Sequence, residues 1–199
     1  MKTSVIITPL LVLALGVMAQ GYTIGSKASD FSLKNVDGRM VSLSHYPDAK
    51  GFIVIFTCNH CPFAVAYEDR IIELHKQYAP KGYPVVAINP NDPAVQPQDS
   101  YERMQERAKQ KGFPFPYLFD EGQKVYPLYG ATRTPQVYLL RRKGADLIVE
   151  YIGAIDNNHQ DTSKVTYAYV AQAIDALLAG KLPQTRETKA IGCTIKTRK

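Results

Sequence analysis

The chain has 199 residues, 45% hydrophobic and 21% charged, with 13 Gly, 13 Pro, three Cys and a formal net charge of +6. This composition excludes a disordered polyampholyte and a collagen-like chain, and three cysteines are too few for a disulfide-stapled mini-scaffold. One domain of ordinary size is the expectation.

Lys2 supplies a positive start, Val5 to Val17 is a nearly unbroken apolar run, and Val17-Met18-Ala19 ends it on a small residue. This is the pattern of a secretory signal peptide over residues 1–19. The run is shorter than the roughly 20 apolar residues of a spanning helix, and no Cys at its end offers a lipid attachment point. Cleavage after Ala19 is expected to leave an exported chain beginning near Gln20, periplasmic or extracytoplasmic, with no stable membrane insertion. Residues 20–180 then balance 17 Lys and Arg against 17 Asp and Glu, and the basic excess lies in a tail, 181–199, where six basic residues face Glu187 alone. A tail of this kind reads as a solvated basic segment, and nucleic acid is not an expected partner of an exported, electrically neutral body.

In chain order, Asp30-Phe31-Ser32-Leu33 and Met40-Val41-Ser42-Leu43 alternate polar with apolar around Asp37-Gly38, predicting an N-terminal β-hairpin. Residues 51–57 are apolar without alternation, as in a strand buried on both faces. The sequence Cys58-Asn59-His60-Cys61-Pro62 follows, then a helical pattern with Ile71, Leu74, His75 and Tyr78 on one face. Pro62 suits the first helical turn, where its missing N–H is not needed. A second buried strand is expected over 83–89, a Pro- and Asn-rich loop to Asp99, and a helix over 100–111 ended by Gly112. A short strand at 115–119 and a short helix at 123–129 come next. After Thr134-Pro135 the pattern predicts a hairpin of strands 136–140 and 147–152, then an amphipathic helix over 165–178. The whole describes an α/β fold: a central mixed β-sheet flanked by helices, with the hairpin as an N-terminal extension, forming one domain over 20–180.

The chemistry is expected at Cys58-x-x-Cys61, where a buried strand hands over to a helix. Free backbone N–H groups and the positive end of the helix dipole at such a corner stabilise a thiolate. Cys58, taken to be exposed at the corner, is the expected nucleophile, Cys61 the resolving thiol, and His60 a charge or hydrogen-bond donor that lowers the Cys58 pKa and makes the pair more oxidising. A structural zinc site would need four ligands, and the only further cysteine is Cys193 in the tail. A purely structural disulfide within so short a loop would constrain the unfolded chain little.

Strand, CxxC, helix, strand and a later Thr134-Pro135 before a hairpin resemble the thioredoxin superfamily, in particular its peroxiredoxin-like branch, the alkyl hydroperoxide reductase and thiol-specific antioxidant group. The stretch from Ile24 to Leu33, followed by Asp37-Gly38, is similar to the opening of that branch. The resemblance implies a thioredoxin-like fold, a thiol–disulfide oxidoreductase, a cis-proline at Pro135 beside the CxxC, and Thr134 offering its backbone to a substrate strand. It implies protein thiols and disulfides as clients, a redox partner protein, and neither cofactor nor metal.

The chain departs from the family at Phe52, where thioredoxin-like reductases carry an acidic residue that takes the resolving thiol's proton; His60 or a carboxylate from elsewhere would have to serve. The alternative within the fold is an antioxidant peroxidase, although the Pro-x-x-x-Thr-x-x-Cys loop of peroxiredoxins, laid over Cys61, meets Val54 and Cys58 where Pro and Thr belong. Arg133 is the candidate to hold peroxide. A further alternative is a Cu(I) carrier using both cysteines and a histidine from His45, His75 or His159, against which stands the three-residue spacing of cysteines in such carriers. Cys193 lies in a small apolar island, Ile191-Gly192-Cys193-Thr194-Ile195, and is read either as a packed or free thiol or as a third redox cysteine pairing with Cys58 or with another molecule.

Overall fold

The computed structural model describes residues 21–198, so the signal-peptide assignment at 1–19 lies outside the described residues. Among the described residues no helix is long and apolar enough to cross a membrane.

Ten strands and four α-helices follow one another as β1 (Lys27–Ala28), β2 (Leu33–Asn35), β3 (Met40–Val41), β4 (Gly51–Phe56), α1 (Pro62–Tyr78), β5 (Val85–Asn89), α2 (Tyr101–Lys111), β6 (Tyr117–Phe119), α3 (Val125–Tyr129), β7 (Arg133–Thr134), β8 (Gln136–Lys143), β9 (Asp146–Gly153), α4 (Tyr169–Leu178) and β10 (Cys193–Thr194). Eight strands form one sheet in the order β1-β9-β8-β4-β5-β6-β2-β3, and β10 pairs with β7 separately. The β4-β5 and β5-β6 pairs are parallel, joined by crossover helices, whereas β8 and β9 run antiparallel. This is a thioredoxin-like mixed sheet flanked by helices, with the expected hairpin from β2 and β3 at one edge.

The unbroken apolar run of β4 is buried along its whole length because both sheet faces are covered. Ile53 and Ile55 enter the core beneath α1 and α4, with Ile71, Tyr78 and Ile174. Phe52, Val54 and Phe56 point to the opposite face, where α3 and the N-terminal hairpin contribute Tyr129 and Leu33. The period-2 alternation of side chains thus feeds two cores from one strand.

Element boundaries differ from the sequence expectations where side chains capture backbone groups. The Asp30 carboxylate accepts from the N–H groups of Phe31, Leu43 and Ser44, removing these residues from the hairpin ladder. Asp120 accepts from Lys124, Val125 and Tyr126, delaying α3 to Val125. The largest difference is α4, which begins at Tyr169 rather than Val165, because the Asn157 side chain accepts from the N–H groups of Thr166 and Tyr167 and holds them extended.

The tail is packed against the domain and is not a solvated segment. Arg186 donates to Glu150, which is 1% exposed and also pairs with Arg141. Thr188 donates its N–H to Ile152 and accepts the Ala154 N–H on its hydroxyl. Gly153, at φ 151°, permits this approach, since a Cβ there would collide with Thr188. Three basic residues of the tail thus have fixed places: Arg186 on Glu150, Arg198 on Asp92, and Lys196 held through its backbone.

Replacing Glu150 with alanine leaves two guanidinium groups facing each other without a counter-charge. As both arginines are a third exposed, the expected loss is about 2 kcal/mol, between surface and buried ion-pair values, to be measured by urea unfolding.

Candidate active site

The site lies at the end of β4, where a buried strand must leave the sheet. Phe56 pairs with Gln136 in the antiparallel β4-β8 ladder, and continuing that register sets Cys58 opposite Thr134. The Cys58 Sγ accordingly lies 3.2 Å from the Thr134 Oγ1. The Thr134-Pro135 peptide bond is cis, as the family resemblance implied. Cys61 forms the N-cap of α1 and Pro62 its first turn, so the second sulfur sits at the helix terminus, 3.3 Å from the Thr134 carbonyl oxygen.

The cysteines are paired differently from either expectation for them. Cys61 is joined to Cys193 as a disulfide, and Cys58 is a free thiol. Cys193 therefore pairs neither with Cys58 nor with another molecule. It reaches Cys61 because β10 lies antiparallel to β7, Cys193 opposite Thr134 and Thr194 opposite Arg133. The backbone that the resemblance assigned to a substrate strand is occupied by the chain's own tail. Arg133 does not reach the sulfurs; its guanidinium donates to the Gly192 carbonyl and the Thr194 hydroxyl.

Cys58 is also not the exposed, low-pKa corner thiol. It is 2% exposed. Burial pushes its pKa up to about 11, the negative charge of Asp99 adds to the rise, and the Thr134 hydroxyl and the N–H groups of Cys61 and His60 pull it down without reversing it. Desolvation of the thiolate outweighs the helix terminus.

Asp99 is the site residue that the sequence reading missed. It is fully buried and accepts from the Asn59 N–H at 2.7 Å, the Asn91 Nδ2 at 2.7 Å and the His60 Nδ1 at 2.5 Å. The Tyr117 hydroxyl donates to the Asn59 side chain and secures the same turn. Sulfur, imidazole and carboxylate atoms of Cys58, His60 and Asp99 all lie within 4.8 Å of one another. Phe52 packs against Tyr46 in the other core, and the carboxylate beside Cys58 and His60 comes from the loop after β5. Its only sequence signal was that loop's position beyond the C-terminal end of a parallel strand, where α/β sheets gather functional groups. Glu68 of α1 also lines a small cavity with Cys58, but it is paired with the Nε and Nη2 of Arg107.

The other histidines do not join the sulfurs as ligands. His75 accepts the Val85 N–H, His45 lines a cleft with Lys50 and Pro80, and the His159 ring packs tilted against Phe63 at 4.8 Å between ring centroids.

The AhpC/TSA family model matches residues 24–150. The chain belongs to that family. Among solved structures it is similar to an uncharacterized conserved protein from Geobacillus kaustophilus, 38% identical with a TM-score of 0.82, over 88% of this chain and 93% of that one. Among curated proteins it is 26% identical over 146 residues to the thiol-disulfide oxidoreductase ResA of Halalkalibacterium halodurans, covering 67% of this chain and 78% of the relative. It is 28% identical over 144 residues to the chloroplastic peroxiredoxin Q of Triticum aestivum, covering 69% of this chain and 61% of the relative.

With the Cys61-Cys193 disulfide intact, iodoacetamide labelling of Cys58 is expected to keep accelerating above pH 9, toward the value of about 11 set by burial. Asp99→Asn should lower that midpoint by removing the neighbouring charge. The raised pKa also fixes the sign of the stability effect. The neutral buried thiol contributes fully below pH 9, and that contribution is lost as pH rises through about 11, because the unfolded chain ionises first. Labelling rates and urea midpoints across pH 8–11 check both.

Proposed function

We propose that this chain is an exported thiol–disulfide oxidoreductase in which Cys58, Cys61 and Cys193 pass one disulfide among themselves and on to client proteins. The supporting observation is a free Cys58 thiol and a Cys61-Cys193 disulfide converging on one residue, Thr134, at 3.2 and 3.3 Å. The Cys58 thiol loses its proton to the His60-Asp99 pair, and the thiolate attacks the Cys61 Sγ. The Cys58-Cys61 bond forms, the Cys61-Cys193 bond breaks, and its electron pair leaves with Cys193, which then takes up a proton. No outside oxidant is consumed in this transfer. The resulting Cys58-Cys61 disulfide is the form that oxidises a client dithiol: a client thiolate attacks Cys58, Cys61 departs as thiolate, and the second client thiol resolves the mixed disulfide.

In this reading Cys58 is the nucleophile toward the Cys61-Cys193 disulfide and the sulfur that bonds to clients, and Cys61 is its disulfide partner and leaving thiol. His60 holds a proton with Asp99, and Thr134-Pro135 positions the incoming strand. A redox partner protein resets the pair. The apolar run at 5–17 supports export, and a disulfide-bearing site agrees with an oxidising compartment outside the cytoplasm. The basic segment 181–199 belongs functionally to the site rather than to a free tail.

The likeness to peroxiredoxin Q favours a second reading, in which Cys58 attacks peroxide. Against it, the Arg133 guanidinium is engaged by the tail, donating to the Gly192 carbonyl and the Thr194 hydroxyl.

A full chain carrying Cys61→Ser and Cys193→Ser retains only Cys58 and, offered clients in their disulfide form, is expected to accumulate mixed disulfides as Cys58 displaces a client thiolate, detected by mass. Adding Cys58→Ser should abolish them, with exchange falling by about a thousandfold or more. Rapid hydrogen peroxide consumption with no trapped client would favour the peroxidase, and stoichiometric Cu(I) retention without exchange a metal carrier.

A further inference from the structure

The tail strand is seated as a substrate would be. Cys193 and Thr194 extend antiparallel along β7, the Ile195 N–H donates to the Thr132 carbonyl, and Arg133 holds the Gly192 carbonyl and the Thr194 hydroxyl. Each position of the strand meets a distinct feature. At Gly192 a Cβ would collide with the Thr134 carbonyl, so the residue before the cysteine has to be glycine. Two residues after the cysteine, Ile195 is 6% exposed and packs into the same core as Phe56 and Tyr129. At the next residue the backbone is gripped from both sides. The Lys196 carbonyl accepts from the Asp92 N–H and the Gln123 side chain, while its N–H donates to the Asn91 side chain. Most of these contacts are to backbone, as in recognition by strand addition, and side-chain selection falls on glycine, cysteine and the aliphatic residue.

We propose that residues 192–196 are a tethered copy of the client: the groove along β7 takes an extended polypeptide reading Gly-Cys-x-aliphatic, and the tail must leave before such a segment docks. This rests on the exchange chemistry above, since transfer of the disulfide from Cys61-Cys193 to Cys58-Cys61 is what severs the tail's covalent hold. After severance the tail competes only by proximity. The anchor at Thr188 lies four residues before Gly192, and so short a tether holds the strand at an effective concentration of millimolar order. A client at lower concentration therefore docks once tail and groove are mismatched or the tail is displaced.

The test separates recognition from chemistry. The probe is a peptide copying residues 191–196 with serine in place of the cysteine, and its binding is measured by calorimetry. Two full-length chains are compared, Cys193→Ser and Cys193→Ser with Ile195→Asp, the second carrying a tail that no longer fits. The peptide is expected to bind the second chain at least about tenfold more tightly than the first, the margin set by a tethered competitor. Peptides with leucine for the glycine, or aspartate for the isoleucine two residues after the serine, should lose that gain. Gly192→Leu with Cys193→Ser ejects the tail by a different contact and guards against misfolding of the aspartate variant, with melting temperatures recorded for all chains. Equal binding to both chains, or equal binding of matched and mismatched peptides, overturns the groove assignment. Exchange of each chain with a small aromatic disulfide is followed in parallel. Loss of that exchange while peptide selectivity persists would refute the oxidoreductase reading and leave the groove standing.

Discussion

The antiparallel ladder between β4 and β8 is the constraint on which the site depends. β4 is buried on both faces and cannot shift by one residue without exchanging the side chains that enter its two cores. With Phe56 held opposite Gln136, the residues just beyond the ladder, Cys58 and Thr134, meet without further adjustment. Cys61, the N-cap of α1, is brought to the same threonine by the helix, whose direction is fixed by the parallel crossover to β5. The chemistry is thus placed by core packing, and the loop residues add the proton-handling groups afterwards.

Those groups produce a balance of opposing electrostatic effects. The Thr134 hydroxyl and two backbone N–H groups favour a Cys58 thiolate, while burial and the Asp99 carboxylate disfavour it more strongly. A thiol held neutral beside a disulfide is a resting arrangement, because the sulfur that would attack Cys61 is protonated for most of the time. Movement of the tail would let water reach Cys58, weaken the desolvation penalty and lower its pKa.

The tail shows how a segment of unpromising composition becomes part of a site. Its basic residues read as solvated, yet Arg186 meets a buried carboxylate, Arg198 meets Asp92 and the Lys196 backbone is held by the Gln123 and Asn91 side chains. None of these partners lies near the tail in sequence. The disulfide spans 132 residues, which constrains the unfolded chain far more than a bond within the four-residue Cys58–Cys61 loop would.

Local sequence patterns by themselves determined the chain order of the longer strands and the helices and the strand-to-helix corner carrying Cys58 and Cys61, because hydrophobic periodicity and turn chemistry act over a few residues, while the cis Thr134-Pro135 bond followed from the family resemblance. Only the tertiary structure decided which cysteine Cys193 joins, that the Asp99 carboxylate stands beside His60 and Cys58, that Cys58 is buried, and that the tail lies along β7. Each of these depends on residues roughly 40 or more positions apart being brought together by the register of the sheet, and no local pattern carries that information.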